Sequence, residues 1–347
     1  MTSRTHIILV NWNGAVDTIA CLEALLRLEG NFTVTVCDNG STDGSVARIE
    51  AWANSWETRA PTAPAAASMT GPCRWSPTVR TVGPSASSAQ EPHVFLTIIE
   101  AGENLGFAGG NNLGIHLALQ DPDCEYIWIL NNDTVPAPDA LTALIARMDD
   151  PAVAVCGSTL IYHDDPDRVQ ALGGRHFLLR ARGEPIGAGL KIRDLPDQAT
   201  VEAELDYVVG ASLFTRKSVM ARTGGLSEAY FLYFEELDLA RRLAPGERLG
   251  WAPQSIVYHK EGASIGTSSR ARPSATSVYY LRQALLRFYA IHHPLLLPFA
   301  MARILREGLG DLFRGDLRAT GATLRAAWDF VRKRPPGPIM PKSRPHA

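Results

Sequence analysis

Cysteine, long apolar runs and the common phosphate-binding signatures are scarce or missing in these 347 residues, and each shortage removes a class of protein. The five cysteines (Cys21, Cys37, Cys73, Cys124 and Cys156) are scattered and form no C-x-x-C pair. That spacing speaks against a zinc site, and an odd count speaks against a disulfide framework. A reducing cytosol is the expected compartment. No stretch approaches the roughly 20 apolar residues of a spanning helix. The apolar run at 6–10 (HIILV) is too short for a secretory leader, so none is expected. No G-x-x-x-x-G-K-[ST] loop occurs, which excludes P-loop chemistry. No G-x-G-x-x-G follows the first predicted strand, so a dinucleotide fingerprint is missing where it should stand. Internal repeats are also missing.

What is present is ordinary globular material, 46% hydrophobic and 20% charged. The net charge of −2 hides an asymmetry. From Tyr279 onward twelve Lys/Arg face four Asp/Glu, so a basic end follows an acidic body. Such an end favours an anionic surface, and the acidic body makes nucleic acid the poorer partner. The first half alternates. Strands are predicted at 5–11, 32–37, 94–100, 126–130 and 152–157, with helices at 15–28, 43–56, 108–119 and 138–148 between them. This alternation predicts an α/β fold with a mostly parallel sheet and helices on both faces. Residues 57–93, with six prolines among Ala, Ser and Thr, read as an inserted surface loop. Residues 159–205 resist assignment. A strand with a Gly break is predicted at 206–216, a short charged helix at 234–243 and a strand at 255–259. A catalytic body over 1–272, a helical region over 273–334 and a basic Pro-rich tail over 335–347 follow from this pattern.

In parallel sheets ligands bind beyond the carboxyl ends of the strands. Four predicted strands end there in polar, Gly-bearing clusters: NWNG (11–14), CDNGSTDGS (37–45), ENLGFAGGNN (103–112) and NND (131–133). Asn, Asp and Gly are also turn and cap residues, and Asp38 or Asp43 alone reads better as a helix cap. Four clusters along one edge describe a cleft for a polar ligand. Asp38 is placed to accept bonds from a base or ribose. Asp133 can ligate a hard divalent metal through oxygen.

These motifs, with VVGASLFTR (208–216), FLYFEELDLARRL (231–243) and VYH (257–259), resemble the family 2 glycosyltransferases of the GT-A fold, and most of all their bacterial rhamnosyltransferase-like members. The resemblance runs in order from residue 7 to about 290. It implies a GT-A nucleotide-diphosphosugar transferase fold with a C-terminal helical extension. It also implies an inverting hexosyl transfer, with rhamnose as the leading sugar, from a nucleotide-diphosphate donor to a hydroxyl acceptor in cell-surface polysaccharide or glycolipid synthesis. The donor-binding positions it implies are Asn11, Asn13, Asp38, Asp43, Asn104, Gly106, Asn111, Asn132, Gly210 and Ala211. Asn131, Asn132 and Asp133 stand where the family has its D-x-D metal motif. Asn131 replaces the first carboxylate, so Asp133 carries most of the charge for Mn²⁺ or Mg²⁺, and His259 completes the set. His259 reads equally as a histidine that ends a strand.

An inverting transfer needs a carboxylate to take the acceptor proton. Glu235-Glu236-x-Asp238 matches the family's acidic motif, with Glu236 in the register of the base and Glu235 as the fallback. Asp238 has a second reading, an ion pair with Arg241 or Arg242 on one helix face. Residues 294–331 carry apolar stripes with arginines between them, suited to a membrane interface or to packing on the body. A lipid-linked saccharide acceptor and a peripheral place on the cytoplasmic face of the inner membrane follow from the resemblance and the basic end. Oligomer formation through the same stripes stays open. Two rivals remain. One is a nucleotide-sugar or carbohydrate-binding protein with little or no activity, encouraged by Asn131. The other is a sugar nucleotidyltransferase, which would want a cation in the 11–14 loop, where there is none.

Overall fold

A computed structural model of the chain describes residues 4–59, 79–83, 96–260, 272–335 and 337–338. The first strand, β1 (Arg4–Asn11), explains why its sequence is a continuous apolar run. Ile7 and Leu9 enter one core cluster with Leu22, Leu25 and Trp128. Ile8 enters the other with Ile115 and Ile127. Both faces of the sheet are covered, so neither parity can be polar.

The chain continues through α1 (Ala15–Leu25), β2 (Phe32–Asp38), α2 (Ser45–Arg59), β3 (Val79–Val82), β4 (Leu96–Glu100), α3 (Gly106–Gln120) and β5 (Cys124–Asn131). The strands β3, β4, β2, β1 and β5 lie side by side and all run parallel. Two findings revise the reading of 57–93 as one loop. The helix α2 runs on to Arg59, and β3 adds an edge strand beside β4. The rest of that segment, including Cys73, lies outside the described residues.

Next come β6 (Thr134–Pro136), α4 (Ala140–Arg147), β7 (Val153–Tyr162), β8 (Asp165–Ala171), β9 (Gly174–Phe177), β10 (Arg182–Pro185) and α5 (Gln198–Glu204). Most of these fall in the stretch that resisted assignment. The reason is visible in β8 and β10, whose residues are largely exposed or half-buried and so carry no apolar period. The strand at 206–216 is shorter than expected. Only β11 (Ser212–Arg216) is regular, and Gly210 lies in the turn before it.

β11 runs antiparallel between β5 and β7. Its start therefore lies beside the carboxyl end of β5. After α6 (Lys217–Thr223) and α7 (Glu235–Arg241), the long strand β12 (Arg248–His259) runs parallel to β7 and antiparallel to β6. The sheet order is β3-β4-β2-β1-β5-β11-β7-β12-β6, with β8 against β7.

The C-terminal helices α8 (Ala275–His292), α9 (Leu297–Phe313) and α10 (Leu317–Val331) follow. α8 is part of the body. Its Leu285, Phe288 and Tyr289 form one buried cluster with Tyr230 and Leu237 of the catalytic half, and Ala300 and Ile304 of α9 join it. α10 packs on α8 through Ala326 against Tyr279 and Tyr280. Residues 261–271 and most of the Pro-rich tail lie outside the described residues. No described helix is long and apolar enough to cross a membrane.

Candidate active site

Strand register gathers the polar clusters. Asn11 pairs with Asp38 across β1 and β2, Val10 with Asn131 across β1 and β5, and Asp38 with Glu100 across β2 and β4. One edge therefore carries all four loops. Within it the residues divide between interior supports and groups that can meet a ligand. Asn11 is fully buried. Its amide donates to Asp38 Oδ1 at 2.7 Å and to Ser41 Oγ at 3.1 Å, and its carbonyl accepts from Thr18 at 2.7 Å. It therefore orients Asp38 rather than facing the cleft. Asp38 also accepts the Ser41 N–H at 2.9 Å, which fixes the loop. Asn13 has a left-handed φ of 52° and accepts the Thr42 N–H at 2.8 Å. Asp43 accepts the Ser45 N–H and hydroxyl, which makes it the turn residue that opens α2.

Asn104 bridges the next loop. Its Oδ1 accepts from Asn39 Nδ2 at 3.1 Å and from the Gly106 N–H at 3.0 Å. Gly106 has a φ of +76°, and a Cβ there would lie 2.3 Å from the Phe231 carbonyl oxygen. Only glycine lets the head of α3 meet the segment that leads to the acidic motif, and Phe107 N–H bonds the same carbonyl at 2.8 Å. Asn111 is buried with its Nδ2 on Phe107 O and its Oδ1 unpartnered. Asn132 donates to Thr18 Oγ1 at 2.9 Å, which makes it a further support.

Asn131, Asp133 and His259 come together because β12 pairs with β6, placing His259 opposite Thr134. His259 Nε2 lies 3.2 Å from Asp133 Oδ1 and 3.5 Å from Asn131 Nδ2. Its Nδ1 lies 2.8 Å from Gln170 Oε1 on β8. With Gln170 presenting its carbonyl oxygen, Nδ1 carries the proton and the Nε2 lone pair of a neutral ring faces a carboxylate. Asp133 Oδ1 is buried and takes no directed hydrogen bond. Two facing acceptors are relieved by a cation between them or by protonating the ring. Carboxylate, imidazole and amide oxygen suit Mn²⁺ or Mg²⁺, and Gln170 is the outer support such histidines use. The residues present fit a divalent cation with two ionisable ligands. Among the described residues there is no cluster of three His, Cys, Asp or Glu side chains. Burial raises the Asp133 carboxyl, but the neighbouring His259 and Lys260 outweigh it and hold the group below the usual range.

The acidic motif opens α7. Tyr233 and Phe234 before it both have left-handed φ, 71° and 74°, a sharp and costly turn that swings the two glutamates into place. Their environments differ. Glu235 is 2% exposed and both its carboxyl oxygens lack partners. Burial, then the neighbouring Glu236 charge, raises it well above the usual carboxylate range. Glu236 is half-buried and lines a cavity of about 210 Å³. Burial pushes it up to about 7, against backbone N–H bonds from itself and Gly210. A Cβ on Gly210 would lie 3.8 Å from Glu236 Oε1, and Ala211 O accepts the Asn131 N–H at 3.0 Å. Gly210-Ala211 thus joins the acid to the Asn131–Asp133–His259 group. Asp238 is a structural anchor. It is buried and accepts from Arg242 Nε at 2.6 Å, His292 Nε2 at 2.7 Å and Tyr230 OH at 3.2 Å.

Sequence reasoning missed Gln170 and His292. Both act through partners far along the chain, and neither sits in a motif.

Comparison with known proteins adds the following. Residues 85–202, about a third of the chain, match the family described as Glycosyl transferase family 2. The rhamnosyltransferase WbbL of Escherichia coli K12 is 24% identical over 206 residues, 54% of this chain and 77% of that protein. The N-acetylglucosaminyl-diphospho-decaprenol L-rhamnosyltransferase of Mycobacterium tuberculosis is 28% identical over 285 residues, 77% of this chain and 79% of that one. Among solved structures, a mannosyltransferase from Pyrobaculum calidifontis in complex with GDP-Man and Mn²⁺ superposes with a TM-score of 0.53. It is 15% identical, and the match covers 96% of this chain and 88% of that one. The shared architecture is the GT-A fold.

Proposed function

We propose, for a chain that carries a family 2 glycosyltransferase domain on a GT-A fold, an inverting transfer of a hexose, with rhamnose as the leading sugar, from a nucleotide-diphosphate donor to a saccharide or lipid-linked saccharide. The observation that carries the proposal is Glu236. It is a half-buried carboxylate raised to about 7, on the cavity wall and beside Gly210, whose neighbour Ala211 is bonded to Asn131.

The chemistry follows from the placement. The acceptor hydroxyl gives its proton to Glu236 as its oxygen bonds to the anomeric carbon. The bond from that carbon to the diphosphate oxygen breaks on the opposite face. Glu236 is a base of matched strength near neutral pH. Glu235 stays in the interior, and its burial helps hold the pair at one negative charge. Asp38, held by Asn11 and Ser41, is the donor-side carboxylate for the nucleoside. Asp133, His259 and Asn131 would hold a divalent metal, which supplies charge compensation for the departing diphosphate.

A place on an anionic membrane surface is part of the same proposal. Leu317, Leu324, Trp328 and Val331 form one stripe along α10, each more than half exposed. Arg318, Arg325 and Arg332 follow the stripe at seven-residue spacing. Asp329 pairs with Arg325 of this edge at 3.6 Å, and the other acidic residues of α9 and the α10 cap are engaged away from it. Glu307, Asp311 and Asp329 are in ion pairs, and Asp316 caps α10. An apolar stripe with an arginine edge complements an anionic bilayer.

The test of the transfer reading is a pair of variants. Glu236→Gln should lower turnover about 10²–10⁴-fold and leave Mn²⁺-dependent nucleotide binding intact. Asp133→Ala should abolish that binding. Full turnover by Glu236→Gln, or nucleotide binding by Asp133→Ala that is indifferent to Mn²⁺ and EDTA, would sink the respective assignment.

A further inference from the structure

Glu236 follows a costly piece of backbone. Tyr233 and Phe234, just before the two glutamates, are both aromatic and both left-handed. Such a turn persists only where its surroundings over-determine it. The helix it opens cannot do this alone, because α7 has seven residues and no side-chain cap at its N-terminus.

The constraint comes from α8, at three places. Before the turn, the Phe231 ring stacks on Tyr280, with centroids 4.7 Å apart and planes 18° from parallel. At the turn, the Phe234 ring lies 5.4 Å from that of Phe288. Beyond it, Asp238 accepts from His292 Nε2 at 2.7 Å. The other two donors to Asp238, Tyr230 and Arg242, belong to the same stretch of chain as the turn, so His292 is what ties Asp238 to another element. From Tyr280 to His292 the helix rises about 18 Å, so one rigid element spans the turn and grips it on both sides. Tyr280 is itself held. It is buried, its hydroxyl donates to the Gly337 carbonyl at 3.1 Å, and its ring meets Tyr279 edge-on at 5.2 Å. Tyr279 in turn donates to the buried Asp329 of α10 at 2.9 Å. Phe231 also carries the carbonyl that accepts the Phe107 N–H, so Tyr280 reaches the acidic turn and the head of α3 together. Neither Tyr280 nor His292 lines the cavity at Glu236, so neither meets a ligand there.

We propose that Tyr280 and His292 are positioning residues for the base. α8 acts as a splint that, through Phe231 and Asp238, holds the Tyr233–Phe234 turn in the arrangement that carries Glu236 to the cavity wall. The inference rests on the transferase reading with Glu236 as base. It deepens that reading by giving two residues of the C-terminal helical region a part in catalysis that neither exerts by touching substrate.

The test is a pair of double-mutant cycles on the full chain. Tyr280→Ala and His292→Ala should each lower kcat about 10–100-fold, the cost of a small misplacement of the reacting group, while donor KM and Mn²⁺-dependent nucleotide binding stay at wild-type values. Tyr280→Phe keeps the stacked ring and should keep most of the turnover, and His292→Gln keeps a donor for Asp238 and should recover part of it. In the Glu236→Gln background the two alanine substitutions should cost little further turnover, since the group they position is already gone. A general weakening of the fold would instead lower nucleotide binding and multiply with the Glu236→Gln loss. If Tyr280→Ala unfolds, Tyr280→Leu, which keeps apolar bulk without a stacking ring, takes its place in the cycle. Wild-type kcat in either alanine variant, or a full additional loss on top of Glu236→Gln, overturns the proposal. Full turnover by Glu236→Gln alone would strike the assignment of the base, and the inference with it, whatever the α8 variants do.

Discussion

Two adjacent glutamates show how little residue type decides at the scale of single side chains. Glu235 and Glu236 differ by one step along α7, yet one is sealed in the interior and the other meets the cavity. The folded-state value of Glu236, about 7, lies above its ordinary 4.5. A base must be deprotonated, so transfer should rise with pH through about 7 and level above it. The stability consequence has the opposite sign. A raised acid favours the folded state most below its unfolded value, and that contribution is lost as pH rises from about 4.5 to about 7. Glu236→Gln should therefore gain in melting temperature relative to the wild type between those limits. A rate profile flat across about pH 6–8 would place proton transfer on another group. At the metal-type site, Gln170→Leu removes the acceptor that fixes the His259 ring. Mn²⁺ affinity should fall about 10–100-fold, with the ligands untouched. An unchanged affinity by calorimetry would remove Gln170 from the site.

At the scale of elements, the site exists because three segments are pinned to one another. α3 meets the 231 segment at Gly106, where both the left-handed φ and the 2.3 Å approach exclude a Cβ. Gly106→Ala should cost at least about 1–3 kcal/mol from backbone strain alone and should lower turnover by displacing the acidic turn. Denaturant unfolding and turnover measured together check it, and a variant with wild-type values for both would refute the close approach. α7 is pinned to α8 by the Asp238–His292 contact at 2.7 Å and by the cluster around Leu237 and Phe288. The C-terminal helices therefore divide by element. α8 completes the catalytic body, whereas α10 leaves its apolar stripe uncovered by any described residue. Removing everything after residue 277 would dismantle the site, so surface substitutions are the way to probe the basic end.

At the scale of the whole molecule, the acidic body and the basic end have a spatial counterpart. The arginine-edged stripe of α10 lies on the same C-terminal assembly whose helices α8 and α9 wall the cavity at Glu236. A chain seated on a bilayer through α10 would bring that assembly close to lipid-linked acceptors. The full chain should float with anionic vesicles at low salt and come off at high salt, since each surface cation contributes about 1 kcal/mol near an anionic leaflet. The double substitution L324E/W328E should abolish flotation with little change in melting temperature, because both side chains are exposed. Flotation that ignores this substitution would move the contact elsewhere, and no flotation of either protein would end the membrane reading.

The sequence by itself determined whatever is local. The apolar runs and the polar clusters that end them are contiguous in the chain, so β1, β2, β4 and β5 and their shared edge were legible from period and spacing, and the acidic motif from the family resemblance. Tertiary structure decided what depends on contact between distant residues. The antiparallel entry of β11 brings Gly210 and Ala211 to Asn131, and the pairing of β12 with β6 brings His259 to Asp133. Burial assigned Asn11 to the interior, split Glu235 from Glu236 and set Asp238 under Arg242 and His292. Gln170 reaches His259 across 89 positions, and Arg303 reaches Ala181 across 122. Side-chain type tells what a group can do. Its protonation and its partners are fixed by the dielectric and the neighbours that only the folded chain supplies.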